Sequence, residues 1–282
     1  MIEKTLDSLI HKQNRKPNEI VVVNGGGRNN CQSVLKKWKK KYPFIKIIET
    51  KNINLSTSRN IGLPYCNGDL ILQTDDDARP FPDWIEKIIK NHLVFKKAGV
   101  IGGEIIDNDG TTFLSKIADI VTFPKYDKIC SVRSVPGVNS SYKKEVINQI
   151  GQYDQSLFRG EDVDYNWRVK EKGWHVLYVP EIKVRHIHRS TWKNLILQHY
   201  MYGKANYLVR KRWPEMYSPY PLHINNIYMF MKYFASWLWF PFTDAYYKAR
   251  KMNHQINGFE VMVISIVNIS NRIGIFMQKN FG

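Results

Sequence analysis

Apolar positions recur along the chain with two alternating periods. Residues 2–12 (IEKTLDSLIHK) place Ile2, Leu6, Leu9 and Ile10 on one helical face, Pro17 breaks the chain, and the run EIVVV (19–23) reads as a buried strand ending in NGGG. Residues 32–42 (QSVLKKWKKKY) have the pattern of a basic amphipathic helix, and FIKIIE (44–49) that of a strand. NLSTSRNIGLPYCNG (54–68) predicts a turn with a short helix before the strand DLILQT (69–74). In DWIEKIIKNHLVF (83–95), Asp83 and Glu86 have capping-box spacing at a helix start. Strand, helix and strand in succession predict an α/β domain whose sheet is mainly parallel and carries helices on its faces.

Polar positions then raise a question of chemistry. Asp75, Asp76 and Asp77 follow a buried strand directly, at the end where α/β sheets collect ligands. Helix capping does not account for them, because Asp83 supplies the cap and Pro80 and Pro82 intervene. A calcium loop counted from Asp75 fails at Arg79, where a ligand is needed, and at Pro80, where glycine is needed. Three adjacent carboxylates repel unless a cation neutralises them. Mg²⁺ or Mn²⁺, held by one or two carboxylates together with substrate phosphates, fits that requirement. His186 and His188, two apart in IKVRHIHRS, would share one face of a strand. Gly25, Gly26 and Gly27 match neither a P-loop nor a dinucleotide fingerprint and read as a turn.

Composition narrows the partners. The 282 residues are 43% apolar and 24% charged, which excludes a disordered chain. Forty-two Lys and Arg against 25 Asp and Glu give +17, favouring nucleotide phosphates, lipid phosphates or nucleic acid. No nucleic-acid module accompanies that charge, so nucleic acid is not expected as a partner. Three cysteines without metal-ligand spacing suit a reducing compartment, and no signal peptide precedes the first helix, so a cytoplasmic location is expected. Beyond a basic and aromatic stretch (202–219) come IYMFMKYFASWLWFPF (227–242) and GFEVMVISIVNISNRIGIF (258–276). Each falls short of ~20 unbroken apolar residues, and nearby Lys, Arg, Trp and Tyr suit helices lying on an anionic membrane.

EIVVVNGGG, NLSTSRNIGLPYCNGDLILQTDDDA, VPGVNSSYKKEVINQIGQYDQSLFRGEDVDYNWRVKEKGWHVLYVP and VRHIH resemble, in order, the successive motifs of family 2 glycosyltransferases with the GT-A fold. The resemblance covers residues 1–215 and leaves 216–282 as a helical, membrane-associated extension. It implies the GT-A nucleotide-diphospho-sugar transferase fold, a nucleotide-sugar donor, a divalent metal and inversion at the anomeric carbon. The acceptor would be a glycan, lipid-linked or other cell-envelope molecule, and the site would work at the cytoplasmic membrane face.

Matched by motif, Asp162 resembles the general base. Asp75, Asp77 and His186 resemble metal ligands, and Asn24, Arg59, Asp75 and Asp76 donor contacts. Gly137, Asn139, Glu161 and Asp164 fall on the acceptor side. Asn24 stands where the family commonly has an aspartate. The family's domain also opens with a central apolar strand, whereas this chain opens in the helix that follows it. Unpaired ladder groups and an unbuilt part of the donor pocket are therefore expected. The same departure raises an alternative, a non-catalytic binding or scaffold relative.

Overall fold

A computed structural model describes residues 1–26, 31–51, 54–107, 112–216, 226–251 and 258–282. Gly27 of the glycine run and residues 217–219 of the basic and aromatic stretch lie outside the described residues. The chain forms two compact units, Met1–Asn108 with Lys125–Ile187, and Asp109–Pro124 with His188–Gly282.

The first unit opens with α1 (Ile2–Ile10), β1 (Ile20–Asn24), α2 (Cys31–Lys41), β2 (Ile45–Glu49) and α3 (Leu55–Gly62). β1 and β2 pair in parallel, Ile20 opposite Ile45 through Asn24 opposite Glu49. Ile20, Leu6, Ile10, Leu35, Trp38 and Ile45 bury one face of this pair beneath α1 and α2. The chain continues through β3 (Leu70–Gln73), β4 (Ala78–Pro80), α4 (Trp84–Val94) and β5 (Ala98–Asp107). In the second unit lies α5 (Phe113–Thr122); β6 (Cys130–Ser131), β7 (Ser140–Lys143), α6 (Lys144–Ile150), α7 (Glu161–Glu171) and β8 (His175–His186) complete the first. The larger sheet has the order β3-β7-β5-β8-β4, with β6 on β8.

The α/β class expected from the pattern is present, but the sheet is mixed. Among the described residues of the larger sheet only β5 and β8 pair in parallel, while β3–β7, β5–β7, β4–β8 and β6–β8 are antiparallel. β7 (SSYK) carries no apolar run, so periodicity does not register that it enters between β3 and β5 running against both. Among the described residues β1 pairs only with β2 and β3 only with β7, which leaves one open edge on each.

α4 starts where expected, without the capping box. The Asp83 backbone sits at φ −95°, ψ 7°, outside the extended region a capping side chain needs, and its carboxylate pairs with Lys87 at 2.8 Å. Gln13 caps this helix instead. Its Oε1 accepts the Ile85 N–H at 3.2 Å and its Nε2 donates to the Phe81 carbonyl at 2.7 Å.

A second long-range tie runs through Asn139, fully buried in the turn before β7. Its Oδ1 accepts the Trp84 indole N–H at 2.9 Å, and its Nδ2 donates to the carbonyls of Glu104 and Ile182 at 3.0 Å each. One side chain thus joins α4, β5 and β8. Both amide hydrogens are engaged and the side chain is fully buried, so this geometry gives Asn139 a bracing position rather than an exposed one.

The second unit contains α5, α8 (Trp192–Arg212), α9 (Ile227–Lys251) and α10 (Gly258–Phe281). Thr112 and Ser115 form a reciprocal cap on α5. Ser270 and Asn271 of α10 donate to the Ile196 and His199 carbonyls of α8. α8, counted with residues 1–215 by resemblance, thus groups with the C-terminal helices. α9 and α10 each extend beyond their apolar segments, and α9 runs through Pro241, whose carbonyl accepts from Asn268 Nδ2 at 3.1 Å. α10 is long and apolar enough to cross a membrane by length and composition; 39% of that window is buried within the protein.

Asn139→Ala should strand three buried partners at once and lower unfolding free energy by about 2–4 kcal/mol. Urea unfolding checks this, and a loss below about 1 kcal/mol would remove Asn139 as a tie.

Candidate active site

The β3 strand delivers Asp75–Asp77 to a tight turn before β4. Thr5 of α1 anchors this turn, its hydroxyl lying 2.7 Å from the Asp76 carbonyl and 2.8 Å from that of Ala78. β4 pairs Ala78 opposite His186, the last residue of β8, which sets the His186 imidazole next to Asp77. His186 Nε2 lies 3.2 Å from Asp77 Oδ1. One ligand atom from each of Asp75, Asp77 and His186 falls within 4.8 Å of the others. Asp76 is exposed beside them.

Burial pushes the Asp75 carboxyl above its ordinary range; the Arg59 cation pulls it back, and Asp77 adds to the rise. Two carboxylates and an imidazole converging at a partly buried point fit a divalent ion such as Mn²⁺ or Mg²⁺, which would relieve the repulsion between them.

Arg59, on α3, faces a second acidic group. Its guanidinium Nη1 donates to Glu161 Oε1 at the start of α7, and it lies over the Tyr153 ring, 5.3 Å from the centroid. The charges of Asp162 and Asp75 also bear on it. Gly137 makes room for this cation, since a Cβ there would lie 2.1 Å from Arg59 Nη2. Below it, Tyr153 stacks on Tyr165 at 4.0 Å, and Tyr165 meets Tyr142 edge-on. Burial and the neighbouring Asp162 raise the Glu161 carboxyl, and Arg59 opposes both.

Asp162 occupies the first turn of α7, partly exposed. Its Oδ2 accepts the Gly137 N–H at 3.1 Å and its Oδ1 the Val163 N–H at 2.8 Å, so both oxygens are oriented by backbone. Gly160 precedes the helix in a left-handed conformation, φ 75°.

Other residues expected in the site are engaged elsewhere. Asp164 is fully buried and pairs with Arg168 at 3.0 Å one turn on, so it braces α7. Asn24 ends β1, but its Nδ2 donates to Glu49 at 2.8 Å and its Oδ1 accepts from the Gly26 N–H at 3.3 Å. His188 lies beyond the end of β8, so strand alternation does not reach it; it is buried in the second unit, with Nε2 3.0 Å from Asp119 Oδ1. Thr5 and Tyr153 were not expected in the site. No local pattern marks them, because their partners lie 71 and 94 residues away in sequence.

Comparison with known proteins follows from this geometry. Solved structures share the fold and define its class as GT-A. The mannosyltransferase PcManGT from Pyrobaculum calidifontis, in complex with GDP-Man and Mn²⁺, superposes with TM-score 0.66 at 13% identity, covering 99% of this chain and 83% of that one. GalNAc-T7 with UDP, GalNAc and Mn²⁺ gives TM-score 0.54 at 16% identity over 73% and 48% of the two chains. The family model for glycosyl transferase family 2 matches residues 1–151, and the chain belongs to that family. A probable glycosyltransferase, YdaM of Bacillus subtilis, is 26% identical over 75% of this chain and 53% of its own. A poly-beta-1,6-N-acetyl-D-glucosamine synthase of Staphylococcus aureus is 24% identical over 64% and 45%. The chain spans about half the length of these curated relatives.

The raised Asp75 carboxyl gives a signed pH dependence. Its folded pKa lies above the unfolded value of about 3.9, so the metal-free folded state holds a proton that the unfolded chain releases. Stability from this group is therefore lost as pH rises from about 4 through the raised folded pKa. In excess chelator, Asp75→Asn should gain stability over the parent chain across that rise, measured as urea midpoints against pH. A difference that stays constant with pH would contradict it.

Proposed function

We propose that this chain is a metal-dependent, inverting glycosyltransferase that moves a sugar from a nucleotide-diphosphate donor to a glycan, lipid-linked or other cell-envelope acceptor. The convergence of Asp75, Asp77 and His186 carries the reading, because it builds a divalent-cation site within the same unit as an oriented, accessible carboxylate. Bound there, Mn²⁺ or Mg²⁺ would neutralise negative charge developing on the departing diphosphate.

Asp162 acts as general base. Hydrogen bonds from Gly137 and Val163 fix its carboxylate and leave lone pairs for the acceptor hydroxyl. As that hydroxyl oxygen bonds to the anomeric carbon, the bond from this carbon to the diphosphate oxygen breaks on the opposite face. The hydroxyl proton passes to Asp162. Arg59 supplies positive charge beside Asp75 on the donor side, next to Asp76. Glu161 holds Arg59 in place, while Gly137 serves the acceptor side through its N–H to Asp162.

Relatives support the class of substrate. The two solved neighbours hold UDP or GDP-Man with Mn²⁺, and one relative is a glycan synthase. For the membrane face, the supporting observation is α9, where Phe230, Phe234, Trp239 and Phe240 are each more than half exposed. Aromatic side chains of this kind suit the headgroup boundary of an anionic bilayer.

Asp162→Asn keeps size and hydrogen bonding but cannot take the proton. It should lower transfer by ~10²- to 10⁴-fold, roughly 3 to 5 kcal/mol of barrier, with Mn²⁺ and donor affinity unchanged. Near-normal transfer by the folded variant would exclude Asp162 as base. Transfer should also stop in excess chelator and return with Mn²⁺ or Mg²⁺. Phe230→Ser with Trp239→Ser should weaken sedimentation with anionic vesicles while donor hydrolysis persists; undiminished vesicle binding would place the membrane contact elsewhere.

A further inference from the structure

The second unit carries a narrow row of apolar side chains left uncovered on α10. Phe259, Met262, Ile266, Ile269, Ile273 and Phe276 follow one another at alternating steps of three and four residues, the seven-residue repeat of a coiled-coil seam. Five of them are 39–50% exposed and Ile269 is partly exposed. At one end of the row the Phe259 ring lies 5.4 Å from that of Phe113 of α5. The positions flanking the row, Val263, Ser265, Val267, Ser270 and Gly274 among them, are buried within the unit.

The helix cannot turn this row inward. Toward α8, Ser270 Oγ donates to the Ile196 carbonyl at 2.8 Å and Asn271 Nδ2 to that of His199 at 3.1 Å. Gly274 packs so close to the same helix that a Cβ there would lie 2.0 Å from the Tyr200 carbonyl oxygen. Toward α9, Asn268 Nδ2 donates to the Pro241 carbonyl and to Asp244, at 3.1 Å each, and Arg272 Nη1 donates to the Ser236 hydroxyl at 3.2 Å. These bonds fix the rotation of α10 about its axis and direct the row away from both neighbours. A helix lying on a bilayer buries a broader apolar face than this, whereas a row confined to two heptad positions has the width of a helix–helix seam.

We propose that the row is a self-association seam, along which α10 packs antiparallel against α10 of a second copy of this chain about a two-fold axis. Laid against its own reversed copy, the row has a register that leaves no position over. Phe259 meets Phe276, Met262 meets Ile273 and Ile266 meets Ile269 of the second copy, and each pair occurs twice. Rings close the two ends of the seam and branched side chains fill its centre. Charge selects the direction. α10 carries Glu260 in its first turn and Lys279 in its last, so reversal brings the acidic end of one helix toward the basic end of the other and aligns their dipoles favourably. A parallel pair would set like charges and like dipole ends side by side. Together with Phe113 at each end, the two rows remove on the order of 1,000 Å² from water, the size at which specific interfaces begin.

Sedimentation velocity on the full chain at about 20 μM should show a dimer, and so should the Phe230→Ser, Trp239→Ser chain, in which α10 is untouched. Ile266→Lys alone and Ile269→Glu alone each place a charge in the seam and should weaken association by about 100-fold. Mixed in equal amounts, the two should associate again, because the register sets the new lysine against the new glutamate. A second measurement does not rely on charged variants. A Met262→Cys chain mixed with an Ile273→Cys chain should give, on mild oxidation, a disulfide joining these two positions, identified by mass spectrometry of the linked peptides. A monomeric parent chain, links between like positions, or association indifferent to both charged substitutions would overturn the proposal. A monomeric parent whose binding to anionic vesicles is lost in Ile266→Lys would assign the row to a bilayer instead. No arm depends on sugar transfer, so the outcome is separate from that of the proposed function.

Discussion

Arg59 is the constraint on which the site depends. It is the cation set between two groups of carboxylates, with Glu161 bonded to its guanidinium and Asp75 and Asp162 within reach of its charge. Its side chain is only 14% exposed and that of Glu161 5%. At such burial neither charge is tolerable without the other, since an unpaired buried ion costs several kcal/mol. The pair therefore fixes α3 against the start of α7, and through Gly137 it also fixes the N–H that orients Asp162. The stacked Tyr153 and Tyr165 beneath it provide a face on which a cation is favoured.

The two ends of this arrangement have different electrostatic tasks. At Asp75, burial and like charge favour the protonated form, which is the condition a divalent cation would reverse. At Asp162, two backbone N–H groups hold the carboxylate in a fixed orientation. One acid cluster suits a leaving diphosphate and the other an incoming hydroxyl. Arg59 keeps them at a fixed separation.

Much of this was legible in the chain. The alternation of apolar runs located α1, β1, α2, β2, β3 and α4 to within a residue or two but left β4, β5, α5, β6, β7, α6 and α8 unread, and Asp75–Asp77 announced a cation by the repulsion they would otherwise suffer. His186 was legible as a partner of the aspartates only through the family resemblance; in the structure β4 pairs with the end of β8 and brings His186 beside Asp77. What could not be read were bonds between residues far apart in sequence. Gln13 caps α4 in place of Asp83, and Asn139 spends its amide on Trp84, Glu104 and Ile182. In each case a residue type suited to a site is also suited to satisfying a buried polar group, and only the fold decides between them. β7 was hidden because its four residues, SSYK, hold no apolar run to mark a strand.

A double-mutant cycle on Arg59 and Glu161 tests the central constraint most directly. Arg59→Met alone leaves Glu161 buried without its partner and should cost about 3–5 kcal/mol in urea unfolding. Adding Glu161→Gln removes the stranded charge and should recover most of that loss, giving a coupling of about 2 kcal/mol or more. Losses that simply add, within about 0.5 kcal/mol, would show that Arg59 and Glu161 stabilise the protein independently and that the site is not held together by their ion pair.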